Sequence, residues 1–173
     1  RPADRMETIE CWEHALKSSK TPSVLSLTRQ NLEPIRKKYS NVNKCSLGAY
    51  EVFRTNKKIH LTIIASGSEV NLAIETSHKL AKEKVYSKVI SMPCQDLFDS
   101  QSRTYKQKIL NETKMKISIE AASTDSWKKY VGNEGLTFGI DTFGKSAPYK
   151  EIYKYFGLTA ANIANKSKKL INR

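Results

Sequence analysis

Two stretches of this sequence carry residue types suited to holding a charged ligand. Ser66-Gly67-Ser68-Glu69 joins an apolar run over residues 59–65 to a segment over residues 70–80 with Val70, Ala73, Ile74 and Leu80 at helical spacing. A hydroxyl-rich turn feeding a helix presents free backbone N–H groups, which suit an anion. Ser66, Gly67 and Ser68 are therefore a candidate anion site. Ser66 and Glu69, three residues apart, also fit a capping box, and a capped chain reversal that holds no ligand looks the same. The second stretch is Thr28-Arg29-Gln30-Asn31-Leu32, where Arg29 follows a short apolar run. A guanidinium offers a planar fork of N–H donors that fits a phosphate; an ordinary strand-end arginine paired with a carboxylate is the alternative.

Other chemistry-bearing residues form no motif. Glu120 ends an apolar run without a partner nearby in the sequence, and Asp141 reads as a turn residue that binds backbone N–H groups. Trp127 and Tyr130, and Tyr149, Tyr153 and Phe156, read as core or interface packing. The three histidines, His14, His60 and His78, are scattered, and Cys11, Cys45 and Cys94 include no C-x-x-C pair. Reduced, structural cysteines of a cytoplasmic protein fit that spacing.

The elements that must position these residues alternate. Residues 59–65, 88–92, 116–121 and 136–140 read as strands, the second stopped by Pro93. Helical stretches lie near 101–111 and 124–131. Two more follow, one from Pro148 to before Gly157, the other with Thr159 as N-cap over residues 160–171. The fold class is α/β: a three-layer domain with a mostly parallel sheet of about five strands. The short strand at Gly48-Ala49-Tyr50, set off by the hairpin-like Thr55–Lys58 turn, is the expected antiparallel member. Residues 1–36 differ. Asp4 and Glu7 open a helix that runs to about Ser18, a short strand over residues 23–28 follows, and the pair reads as the helix–strand remnant of a preceding domain. Residues 37–46 read as a linker and 47–173 as the compact domain. A first residue other than Met suggests a piece of something longer.

The 173 residues include 30 Lys and Arg against 17 Asp and Glu, a net charge of +13. Of the basic residues 23 are Lys and 7 Arg, spread along the chain. Readers of nucleic acid lean on arginine and on basic runs interleaved with aromatics, so no nucleic-acid partner is expected. No apolar run is long enough to span a membrane, so no membrane partner is expected either.

The order and spacing of several strings resemble transketolases. They are Arg1-Pro2-Ala3-Asp4, the Thr28 to Leu32 string, Gly48-Ala49-Tyr50, Ala65-Ser66-Gly67-Ser68-Glu69-Val70, Ser91-Met92-Pro93, Leu97-Phe98 with Gln101, Trp127 to Gly132, and Gly139 to Pro148. The resemblance covers the whole chain and corresponds to the C-terminal part of such enzymes: the end of the pyrimidine-binding domain plus the C-terminal domain. It implies a parent transferase that moves a two-carbon ketol unit between sugar phosphates in the pentose phosphate pathway. It also implies a cytoplasmic homodimer using thiamine diphosphate and a divalent metal, Mg. In the family the arginine of the T/S-R-Q string binds the substrate phosphate, and Arg29 stands at that place. The chain has no G-D-G string and none of the family's donor-binding histidines. No catalytic, cofactor or metal residue is therefore expected in it, and no activity or bound cofactor in the chain alone. Its own role is structural, supporting domain packing and dimer formation. A dihydroxyacetone synthase relative, or an independent nucleotide- or RNA-binding module, is the alternative.

Overall fold

The computed structural model describes residues 1–36 and 40–171. Its sheet has the order β1-β3-β2-β4-β5, built from β1 (Tyr50–Arg54), β2 (Leu61–Ala65), β3 (Ser87–Ser91), β4 (Lys116–Ile119) and β5 (Leu136–Phe138). All pairs are parallel except β1 with β3. Every residue of β2 and β3 is buried, as expected where helices cover both faces of a parallel sheet. Because strand side chains alternate, Leu61 and Ile63 of β2 enter one core and Ile64 the other. The first core adds Ala73 and Leu80 of α2 (Glu69–Lys82) and Ile163 and Leu170 of α7 (Ala160–Ile171). The second adds Phe98 of α3 (Gln95–Asp99), Ile109 of α4 (Arg103–Leu110), and Trp127 and Tyr130, the latter on α5 (Lys128–Val131). Trp127 and Tyr130 are thus core residues.

Helix ends follow their residues closely. Asp4 caps α1 (Arg5–Lys17), its Oδ1 accepting the Glu7 N–H at 2.8 Å. Glu7 reaches one residue further back than a capping box requires, to the Ala3 N–H at 2.7 Å. Helix α6 (Tyr149–Tyr155) starts after Pro148 and ends before Gly157, which takes φ +72°. Thr159 caps α7 by accepting the Asn162 N–H at 3.3 Å.

Four sequence expectations change. Residues 23–28 form no strand, because among the described residues no neighbouring backbone completes their hydrogen bonds. The helix expected near 101–111 is preceded by α3 and starts at Arg103, where the Ser102 hydroxyl caps it. The stretch near 124–131 begins as a 3₁₀ turn, Asp125–Trp127, before α5. The antiparallel strand expected at Gly48-Ala49-Tyr50 lies instead over Tyr50–Arg54 and pairs with β3, since both edges of β2 are taken by β3 and β4. The residues read as a linker fall partly on 37–39, outside the described residues. Past them, the Lys44 and Cys45 N–H groups donate to Glu10 Oε2 at 3.0 and 3.1 Å, which ties this stretch to α1.

Candidate functional site

From β2 the chain crosses to β3 on one side and later returns to β4 on the other. The carboxyl ends of β2 and β4 therefore flank the point where strand order reverses, the usual crevice of such sheets. Ser66 to Glu69 leave β2 there, and Glu120 leaves β4.

The groups gathered at this point form a socket for a cation. Ser66 Oγ donates to Glu120 Oε2 at 2.5 Å, and Ser68 Oγ donates to Glu69 Oε1 at 2.6 Å. Arg1 lies across both carboxylates, with Nη2 at 3.0 Å from Glu69 Oε2 and Nη1 in contact with Glu120. Its guanidinium covers Gly67, where an added Cβ would come within 3.2 Å of Nε. The Gly67 N–H donates to the Arg1 carbonyl at 3.0 Å. The Glu69 and Val70 N–H groups are taken up by the carbonyls of Ser66 and Gly67. This corrects the capping-box expectation: the N-cap of α2 is Ser68, and the Ser66 hydroxyl points across the crevice to Glu120. Both hydroxyls of the candidate anion turn are spent on carboxylates, and two negative side chains face whatever enters. The Tyr153 hydroxyl donates to Glu69 and lies 3.5 Å from Ser68 Oγ. Burial, then the Glu69 charge, pushes the Tyr153 phenol up to about 12, so it donates throughout the physiological range.

Arg29 lies beside this socket. The Thr28 hydroxyl accepts the Gln30 N–H at 3.2 Å, a local turn that sets the bend at Arg29. Gln30 and Tyr153 line the same cavities, so the segment lies against α6. Arg29 itself is exposed and, among the described residues, has no hydrogen-bond or ion-pair partner. Its neighbours Thr28 and Gln30 line a cavity of about 310 Å³ with Arg1, Lys145, Tyr149 and Tyr153.

Other sequence candidates serve the fold. Asp141 accepts the Thr124 N–H at 2.8 Å and its hydroxyl at 2.9 Å, and those bonds lower its carboxyl. His60 stacks on Tyr86 and accepts its N–H, and His78 packs against Phe53. Two groups escaped sequence reasoning. Glu7, buried on α1, accepts bonds from Tyr50 and Ser91 at 2.7 and 2.6 Å and so joins residues 1–36 to the sheet. Arg1 gave no signal beyond its place in a string. The Ser66 to Glu69 turn and the partnerless carboxyl of Glu120 were the traces of the socket legible in sequence.

Comparison with known proteins fits this architecture. A family model described as "Transketolase-like TK C-terminal domain" matches residues 48–159. A transketolase of Bacillus subtilis is 43% identical over 179 residues, covering 100% of this chain and 26% of its own length. The structure of a transketolase from Leishmania mexicana superposes with TM-score 0.89 at 40% identity, covering 100% of this chain and 25% of that one. A Pichia stipitis transketolase solved with sedoheptulose-7-phosphate gives TM-score 0.88 at 35% identity, covering 99% and 25%. The chain thus spans about a quarter of the length of the relatives it matches.

Proposed function

Since the chain belongs to the transketolase-like C-terminal domain family, we propose that it works as the C-terminal part of an enzyme transferring a two-carbon ketol unit between sugar phosphates. Full coverage of the chain at about 40% identity supports this reading. In it, residues 47–173 are the C-terminal domain, 1–36 close the neighbouring pyrimidine-binding domain, and 37–46 join them. The parent is a cytoplasmic homodimer of the pentose phosphate pathway. Thiamine diphosphate and Mg would supply its carbanion chemistry. The residues present here do not fit that group: there is no G-D-G string, and among the described residues no cluster of three His, Cys, Asp or Glu side chains is placed for a metal. No step is assigned to the cofactor within this chain.

What the chain contributes is position. Arg29, exposed at a bend fixed by Thr28 and Gln30, is the group that would hold the phosphate of the sugar. The structure of the Pichia stipitis relative with sedoheptulose-7-phosphate supports a phosphorylated ligand of that size. The observation that carries this role is the T-R-Q string placed beside a cavity with its guanidinium uncommitted. A charged bidentate contact contributes about 1.5–3 kcal/mol. Arg29→Ala in the full-length enzyme should therefore lower kcat/KM for ketose phosphates by about one to two orders of magnitude. Hydroxypyruvate, which has no phosphate, should be nearly unaffected. Equal losses for both donors would mean that Arg29 has a structural role instead.

A further inference from the structure

Arg1 closes the crevice at the carboxyl ends of β2 and β4, and both its backbone and its side chain are fixed there. Its nitrogen donates to the Pro93 carbonyl at 2.7 Å, and its carbonyl accepts the Gly67 N–H at 3.0 Å. Its guanidinium spans Glu69 and Glu120, whose side chains are 0% and 7% exposed. A planar fork of donors can bridge two carboxylates, whereas the compact ammonium of a lysine is a single point charge. Without the guanidinium, two buried carboxylates would share the crevice uncompensated, which strongly favours the bridged arrangement.

The segment that carries Arg29 lies beside this fixed side chain. Arg1 lines the cavity of about 90 Å³ together with residues 23–25, and the cavity of about 310 Å³ together with residues 26–28 and Gln30. Tyr153, on the wall of the larger cavity, donates its hydroxyl to the same Glu69 that holds Arg1. The two sides of Arg29 are secured differently. Downstream, the Ile35 N–H donates to Asp4 Oδ2 at 3.0 Å, and Asn71 Nδ2 donates to the Glu33 carbonyl at 3.2 Å. Upstream, residues 23–28 join no strand among the described residues. Their placement rests on side chains, and Arg1 is the one ion-paired wall common to both cavities along them.

We propose that Arg1 is a positioning residue for phosphorylated donors, an inference that rests on the phosphate reading of Arg29. Gripped by Glu69 and Glu120, it is the wall against which residues 23–28 are set, and it thereby aims the Arg29 guanidinium at the phosphate. Arg1 does not hold the phosphate itself, since its Nη1 and Nη2 are both committed to buried carboxylates.

The test uses the full-length enzyme with a phosphate-free aldehyde as acceptor, comparing a ketose phosphate with hydroxypyruvate as donor. Arg1→Lys keeps a positive charge in the crevice but cannot span both carboxylates. It should raise KM for the ketose phosphate by about three- to tenfold, within the roughly hundredfold that a misplacement of an ångström can cost. Its kcat, and both constants for hydroxypyruvate, should change by less than about twofold. Glu120→Gln, which releases one side of the fork, should give the same split, and it carries the comparison if Arg1→Lys misfolds. A double-mutant cycle decides whether the effect passes through Arg29. In the Arg29→Ala background, Arg1→Lys should leave the KM for the ketose phosphate unchanged, because the group it aims is gone. Independent, additive effects of Arg1→Lys and Arg29→Ala, equal losses for the two donors in Arg1→Lys, or no change in KM would each overturn the proposal. Failure of the phosphate reading would appear in Arg29→Ala alone, as equal losses for both donors. A donor-selective loss in Arg29→Ala with none in Arg1→Lys would sink only the role of Arg1.

Discussion

Lys88 of β3 is 1% exposed, and its Nζ lies 3.0 Å from Glu112 Oε2, just past the end of α4. Arg54, the last residue of β1, holds both Glu112 oxygens at 2.6 and 2.7 Å and both Glu51 oxygens at 2.8 and 2.7 Å. This chain of four charges joins an edge strand, an interior strand and a helix end. The bonds from Arg54, ahead of those from Lys88, hold the Glu112 carboxyl down at about 2. From the usual 4.5, that difference corresponds to about 3.4 kcal/mol at 1.36 kcal/mol per tenfold. The Glu112 side chain is 35% exposed, so solvent screening cuts this to about half. Removing the carboxylate also leaves Lys88 charged and buried, which by itself costs about 3–5 kcal/mol when no partner remains. Some of that is recovered as water reaches the site. Glu112→Gln should therefore destabilise the chain by about 2–4 kcal/mol in equilibrium urea unfolding. Lys88→Met combined with Glu112→Gln should regain most of the loss, because it removes the stranded charge. The acid limb gives a second reading. Glu112 binds its proton less tightly folded than unfolded, so its stabilisation is complete above pH 4.5 and disappears as pH falls towards about 2. The Gln variant should lack that part of the acid sensitivity. A loss below about 1 kcal/mol, or a double variant no more stable than the single one, would refute the reasoning.

Two further outcomes follow from the geometry. Gly48 takes φ +77°, and an added Cβ would stand 2.1 Å from the Phe98 nitrogen and 2.6 Å from the Cys94 carbonyl oxygen. Gly48→Ala should lose about 3 kcal/mol or more in urea unfolding, and an unchanged midpoint would show that the turn relaxes. Tyr153→Phe removes a hydroxyl bonded to buried Glu69, which keeps Arg1 and Ser68, so a loss of about 1–2 kcal/mol is expected. In the full-length enzyme that variant should raise KM for phosphorylated donors more than for hydroxypyruvate; equal changes would separate Tyr153 from the aim of Arg29.

Much of this was legible in the residues themselves. The apolar runs ending at Ala65 and near Ser91 announced strands. Asp4, Pro148, Gly157 and Thr159 marked helix ends. These signals are local: caps, turns and periodicity act within a few residues, so sequence carries them directly. The failures are informative for the same reason. Residues 23–28 have strand-like composition, but a strand needs a neighbour's backbone, and the described chain provides none there. Ser66 and Glu69 had the spacing of a capping box, yet Ser66 bonds Glu120, 54 residues away. The Arg1 socket, the Glu7 bonds to Tyr50 and Ser91 and the Lys88–Glu112 contact all join distant positions. Local spacing says nothing about such meetings. They exist because a parallel sheet with crossover helices delivers the ends of non-consecutive strands to one edge, where buried polar groups must find partners or lose their hydration uncompensated.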